Sequence, residues 1–125
     1  MSKNLFKISI VLSLLLTFVL LFAACNKDAV ERGKYYSERD PVSYFEIKED
    51  NIIRAVNVDF TEVMDIIKNL GWEIDLYEEM EKGLPYGLTL LGQLIIRIND
   101  DIAFDVKYNG EENAIIFNGI TYRLG

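Results

Sequence analysis

The chain has 125 residues and a net charge of −7, with one cysteine and no histidine. Its length suits one small domain, and its acidic balance makes nucleic acid a poor partner because phosphate backbones repel such a surface. A single cysteine excludes an internal disulfide, and the lack of histidine removes the commonest general base and metal ligand.

The N-terminal segment has the three parts of a secretory signal. A front with two lysines is followed by an apolar run over 8–22 and by two alanines directly before Cys25. This arrangement is typical of exported proteins. An uncleaved membrane anchor over 5–24 is the alternative, since about 20 apolar residues can span a bilayer. The short apolar core and the lack of a basic cluster after Cys25 favour the cleaved signal.

The end of this segment carries a more specific motif. Leu21-Phe22-Ala23-Ala24-Cys25 resembles the lipobox of bacterial lipoproteins, with Phe22 where that family usually has leucine. The resemblance implies transfer of a diacylglyceryl group to the Cys25 sulfur and cleavage between Ala24 and Cys25. Two acyl chains anchor a protein stably, whereas a single chain does so only marginally.

The lipoprotein interpretation divides the chain into a signal peptide over 1–24, a lipidated tether over 25–32 and one extracytoplasmic domain over 33–125. The mature chain from Cys25 has a net charge of −9, because cleavage removes two lysines. Anionic lipid headgroups repel such a surface, so we expect the acyl chains on Cys25 to provide the attachment to the outer face of the cell membrane.

The first part of the domain is predicted to contain a β-hairpin. Asp40-Pro41 is a turn, because proline presets its own backbone dihedral and lacks a donor. Apolar and polar residues then alternate over 44–48 and again over 52–58, with Glu49-Asp50-Asn51 between the two runs. A period of two on either side of a polar break indicates two paired strands.

A second resemblance covers this region. The start Gly33-Lys34-Tyr35-Tyr36, followed by Asp40-Pro41-Val42-Ser43-Tyr44-Phe45-Glu46-Ile47, is similar to the opening of small uncharacterised lipoproteins of Gram-positive bacteria. The resemblance implies a compact β-rich domain with little helix. It implies no activity.

The middle of the domain changes to a helical period. Apolar residues over 60–70 fall on one face at spacings of three and four, and polar residues take the other face. Asp59 is placed to cap the start of this helix, with Glu62 three residues later as in a capping box. Gly71 lies where a left-handed closing residue is expected.

The next segments are less regular. The residues over 72–82 alternate at first like a strand and then become rich in helix formers, so we expect a short second helix that ends at Gly83. Pro85 and two glycines interrupt the leucines of 84–92, which predicts an irregular connection to the following strand.

The C-terminal third has the clearest β pattern. Alternating runs over 94–98 and 102–108 are separated by a polar turn, and Asn109-Gly110 ends the second run. Asn118-Gly119 lies between two further apolar runs, and this pair is the strongest short-range signal for a hairpin. We expect an α+β fold, in which a small antiparallel meander or partly closed barrel packs on the helix over 60–70, in addition to the N-terminal signal helix.

Neither charge nor aromatic content defines a site by itself. The acidic cluster over 73–81 could bind a hard cation, but a solvated helix face explains it better and we predict no metal site. Trp72, Tyr77 and Tyr86 are the best candidates for a ligand-binding aromatic platform, since they lie in the least regular part of the domain. The alternative is that these rings pack at strand edges and over the core.

The sequence carries no recognisable catalytic motif and predicts no cofactor. We therefore expect a membrane-tethered binding module that recognises a protein, an envelope component or a small ligand. A structural lipoprotein without a small-molecule site is the main alternative. A hydrolase that uses two facing carboxylates is a more distant one.

Overall fold

The computed structural model describes residues 30–125, which form a closed barrel of eight antiparallel strands in meander order. The strands are β1 (Gly33–Ser37), β2 (Tyr44–Lys48), β3 (Ile52–Val56), β4 (Leu84–Leu88), β5 (Gln93–Arg97), β6 (Ala103–Asn109), β7 (Ala114–Phe117) and β8 (Ile120–Leu124). The barrel closes where β1 pairs with β8, with Tyr35 opposite Leu124 and Ser37 opposite Tyr122. The predicted antiparallel meander or partly closed barrel is therefore confirmed in its coarse form. Between β3 and β4 the pairing is limited to Ile52 and Ile53.

The predicted signal helix and the lipobox, with Ala24 and Cys25, lie outside the described residues. Within residues 30–125, no helix combines the length and the apolar character that a membrane span requires.

Alternate residues of the strands point into the barrel, as a period of two requires. These interior residues are buried and form one continuous core: Tyr35, Phe45, Ile47, Ile53, Ala55, Leu84, Tyr86, Leu94, Ile96, Val106, Tyr108, Ile115, Phe117 and Tyr122. Phe45 lies near the centre, with its ring centroid 4.9 Å from that of Tyr122 and 6.0 Å from that of Phe117. Such edge-to-face pairs add to the stabilisation from burial alone.

Two helices interrupt the meander between β3 and β4: α1 (Thr61–Asn69) and α2 (Leu76–Lys82). The predicted helix over 60–70 is confirmed. The Oδ1 atom of Asp59 accepts a hydrogen bond of 2.9 Å from the Thr61 N–H at its start. At its end Gly71 has a φ of 88°, and the Trp72 N–H donates to the Ile67 carbonyl. This is the Schellman arrangement that a glycine in this position favours.

The second helix lies inside the predicted segment 72–82, but the prediction for 84–92 is wrong at its start. Leu84–Leu88 is a regular strand despite Pro85. Pro85 lies where β4 changes partner, because β4 pairs with β3 only at 84–85 and with β5 from Tyr86 onward. A proline at this margin removes at most one ladder hydrogen bond, which is why the strand tolerates it.

The barrel has two ends that differ in what they carry. The proximal end is the one at which the chain enters β1, and it also carries the turns at 49–51, 89–92 and 110–113. The distal end carries the 38–43 connection, the Asn118-Gly119 turn and the start of the helical segment. Val30, which the sequence places in the tether over 25–32, is buried in the core.

Candidate functional site

A cleft of about 410 Å³ opens at the distal end of the barrel, between the end of β3 and the helix α2. Its lining residues come from two stretches of chain that are about twenty residues apart. They are Ala55, Asn57, Val58, Asp59, Phe60, Tyr77 and Glu81.

The cleft exists because β3 and β4 separate. These strands pair only at Ile52 and Ile53, and α2 lies beside the remainder of β3. Arg54 fixes this arrangement, since its Nε atom donates a hydrogen bond of 2.6 Å to the Glu81 backbone carbonyl. The same guanidinium makes a 2.6 Å ion pair with Glu46 on β2. The wall formed by α2 is therefore tied to the sheet by one arginine.

The base of the cleft is aromatic. The Phe60 N–H donates a hydrogen bond of 3.1 Å to the Tyr77 hydroxyl, and the two ring centroids are 5.7 Å apart in an edge-to-face arrangement. Asp75 accepts hydrogen bonds from the N–H groups of Tyr77 and Glu78, which caps the start of α2 and fixes the position of Tyr77. The Tyr77 ring is thus held by both its hydroxyl and its backbone.

The rim opposite α2 is fixed by Asn57, which has a φ of 56°. Its side-chain amide donates a hydrogen bond of 3.1 Å to the Val42 carbonyl, and its own carbonyl accepts one of 2.6 Å from the Ser43 hydroxyl. Asparagine tolerates the left-handed conformation better than most residues, which explains its use in this tight connection.

The lining has a negative electrostatic character. Two carboxylates, Asp59 and Glu81, contribute to it, and none of the seven lining residues is basic. Hydrogen bonds from the Thr61 hydroxyl and backbone N–H lower the pKa of Asp59, with a smaller contribution from the Tyr77 hydroxyl. Asp59 therefore remains ionised at neutral pH and is suited to binding a cation rather than to donating a proton.

The structure places the three predicted aromatic residues in different environments. Tyr77 lines the cleft, and Trp72 is partly exposed just after α1. Tyr86 is only 4% exposed and lies inside the barrel, where burial raises its pKa to about 12. Tyr86 therefore packs in the core, as the alternative interpretation of the aromatic residues predicts. It cannot belong to an exposed platform.

Sequence reasoning missed most of the cleft. The sequence indicates Asp59 only as a helix cap, and Glu81 only as one member of the acidic cluster over 73–81. Nothing in the spacing of Asn57 and Glu81 indicates that they share a cleft, because their proximity depends on the divergence of β3 from β4. Among residues 30–125 no group of three potential ligands could hold a metal ion.

Comparisons with protein-family models, with characterised proteins and with solved structures give no match for this chain. Its function must therefore be inferred from the cleft and from the N-terminal sequence.

Proposed function

We propose that the chain is a lipoprotein anchored at the outer face of the cell membrane through Cys25, and that its barrel is a binding module. The position of the cleft supports this proposal. The chain enters the barrel at the proximal end, whereas the cleft opens at the distal end. A domain held by its N-terminus would therefore present the cleft to the extracytoplasmic space.

The chemistry of the cleft indicates the class of ligand. Asp59 and Glu81 supply negative charge, and the partly exposed Tyr77 supplies an aromatic surface. An amine or guanidinium group can pair with the carboxylates while its apolar stem lies against the ring. We infer a ligand with a cationic group, such as a basic side chain of a protein or an amine of an envelope component.

The proposal includes no catalytic step. The lowered pKa of Asp59 disfavours the protonated form that a general acid requires, and the lining residues offer no activated nucleophile. Asn57 and Tyr77 supply hydrogen-bonding groups that can orient a ligand.

Binding can be tested with a panel of lysine- and arginine-containing peptides and amino sugars, using chemical-shift changes of the isotope-labelled protein. We expect basic probes to shift the resonances of Asp59 and Tyr77. Asp59→Asn should weaken this binding, whereas Asp65→Asn removes the same charge from the exposed surface of α1 and should not. Equal weakening by both variants, or shifts confined to other surfaces, would contradict a cationic-ligand site in the cleft. Capture of a protein partner through other surfaces would instead support the alternative of a structural lipoprotein without a small-molecule site.

A further inference from the structure

The turn between β4 and β5 has an unusual composition. Leu90 is 75% exposed and Leu91 is 89% exposed, which makes them the two most exposed large apolar side chains among residues 30–125. Exposed turns are normally built from glycine, proline and small polar residues. Two adjacent leucines at a turn tip therefore call for a specific explanation.

The turn holds these leucines outward. The Thr89 N–H donates a hydrogen bond of 2.8 Å to the Gln93 carbonyl, and the Gly92 N–H donates one of 3.1 Å to the Thr89 carbonyl. Gly92 has a φ of 82°, and a Cβ atom there would lie 2.9 Å from the Tyr108 carbonyl oxygen. The backbone is thus fixed on both sides of Leu90 and Leu91, and the side chains are presented at the tip.

The tip is at the proximal end of the barrel, the end at which the chain enters. Val30 is packed in the core there, and the Glu31 carbonyl accepts a hydrogen bond of 2.6 Å from the Tyr35 hydroxyl. Val30 lies only five positions after Cys25, a reach of at most about 18 Å. A lipid on Cys25 would therefore bring the proximal end close to the membrane surface.

The turn over 89–92 and the helical segment differ in charge. The helical segment over 61–82, which begins at the distal end, carries seven acidic and two basic residues. It accounts for five of the nine net negative charges of the mature chain. The turn over 89–92 has no charged residue. The neighbouring proximal turns carry Glu49, Asp50, Glu111 and Glu112, of which Glu49 pairs with Arg32 and Glu112 with Arg123. Anionic headgroups thus repel the helical segment far more strongly than they repel the turn.

We propose that Leu90 and Leu91 insert into the outer leaflet of the membrane and fix the orientation of the barrel, with the cleft directed away from the bilayer. This inference rests on the proposed attachment through Cys25. Burying one leucine side chain strengthens association by about tenfold or more. Two leucines bind a bilayer weakly by themselves, but they can orient a domain that acyl chains already hold there.

The single tryptophan of the chain allows a direct test. Trp72→Phe first removes the native fluorescence. In this background, Leu91→Trp places a fluorescent reporter at the proximal turn. Val42→Trp places a matched reporter at the distal end, where Val42 is 61% exposed. The full-length protein is purified from membranes and reconstituted into vesicles of phosphatidylcholine and phosphatidylglycerol in equal amounts, with spin-labelled acyl chains as quencher. The mass of the N-terminal peptide is measured on the same samples.

We expect the Leu91→Trp reporter to lose most of its emission and shift to shorter wavelength, while the Val42→Trp reporter is unchanged. Two outcomes would overturn the insertion of the turn: both reporters are quenched equally, or neither is quenched although the protein floats with the vesicles. Either outcome would leave the lipid anchor intact. If Cys25 is found bare and the protein does not float, the anchor fails instead. Coupling the same thiol to a maleimide lipid then restores the attachment, and the same comparison of reporters decides whether the turn inserts.

Discussion

The Tyr77 hydroxyl accepts a hydrogen bond of 3.1 Å from the backbone N–H of Phe60, across seventeen residues of sequence. This contact joins α2 to the connection that follows β3, so it links the two walls of the cleft. Phe60 also packs against the core, with its ring centroid 5.3 Å from that of Phe117. The shape of the cleft is thus coupled to the packing of the barrel interior.

Tyr77→Phe removes this link and keeps the ring. A typical hydrogen bond contributes about 0.5–1.5 kcal/mol to folding, and we expect a loss of that size in the free energy of unfolding measured by urea denaturation. Tyr36→Phe is the matched control, because Tyr36 is at the surface and water can hydrogen-bond its hydroxyl in both the folded and the unfolded chain. Equal losses in the two variants would show that the contact with Phe60 does not stabilise the fold.

Phe45→Ala should be the most damaging of the core truncations. Its ring is fully buried and contacts Phe60, Phe117 and Tyr122. Truncations of this kind cost about 3–5 kcal/mol, a large part of the stability of a small domain. Val42→Ala at the exposed distal loop should change the free energy of unfolding by less than about 0.5 kcal/mol. Similar values for the two variants would contradict the assignment of Phe45 to the centre of the core.

The Asn118-Gly119 turn gives a test of backbone conformation alone. Gly119 has a φ of 71°, and a Cβ atom added there meets nothing within 4 Å. Gly119→Ala should therefore cost about 1–2 kcal/mol from left-handed strain without any clash. Gly110→Ala is the control, since Gly110 is not left-handed and an added Cβ makes only an ordinary contact at 3.5 Å. A Gly119 variant as stable as the Gly110 variant would contradict the left-handed conformation of Gly119.

The buried tyrosines predict loss of stability in alkali. Burial raises the pKa of Tyr86 to about 12, and burial also raises those of Tyr35 and Tyr122. In the unfolded chain these phenols ionise near pH 10, as free tyrosine does, so the folded state keeps protons that the unfolded state releases. The contribution of these tyrosines to the free energy of unfolding should be constant below about pH 10 and fall between about pH 10 and 12.

Denaturant titrations over a series of pH values check this, together with tyrosinate absorbance. Tyr86→Phe should make the alkaline decline shallower, whereas Tyr36→Phe at the surface should leave its slope unchanged. A decline that is equally steep in wild type and in Tyr86→Phe would mean that Tyr86 ionises without penalty in the folded barrel.

Local chemistry made part of this fold predictable. Asn118-Gly119 and the apolar face of 60–70 act over a few residues, so sequence patterns sufficed for the last hairpin and for α1. Closure of β1 on β8 joins residues almost ninety positions apart, and no local pattern indicates that Tyr35 lies opposite Leu124.

The same limit applied to the site. Tyr77 was predicted as a site residue because it lies in an irregular stretch, and it does line the cleft. Tyr86 was predicted to belong to the same platform because Pro85 indicates an irregular segment. The segment is instead the strand β4, which directs the Tyr86 ring into the barrel. Asn57 and Glu81 could not be found at all, since the separation of β3 from β4 is a property of the whole barrel.

The central claim is the lipid on Cys25, and the mass of the N-terminal peptide of the protein purified from membranes tests it most directly. We expect a chain that begins at Cys25 and carries a diacylglyceryl group on its sulfur. A chain that retains Met1, or one that begins at Cys25 with a free thiol, would contradict it.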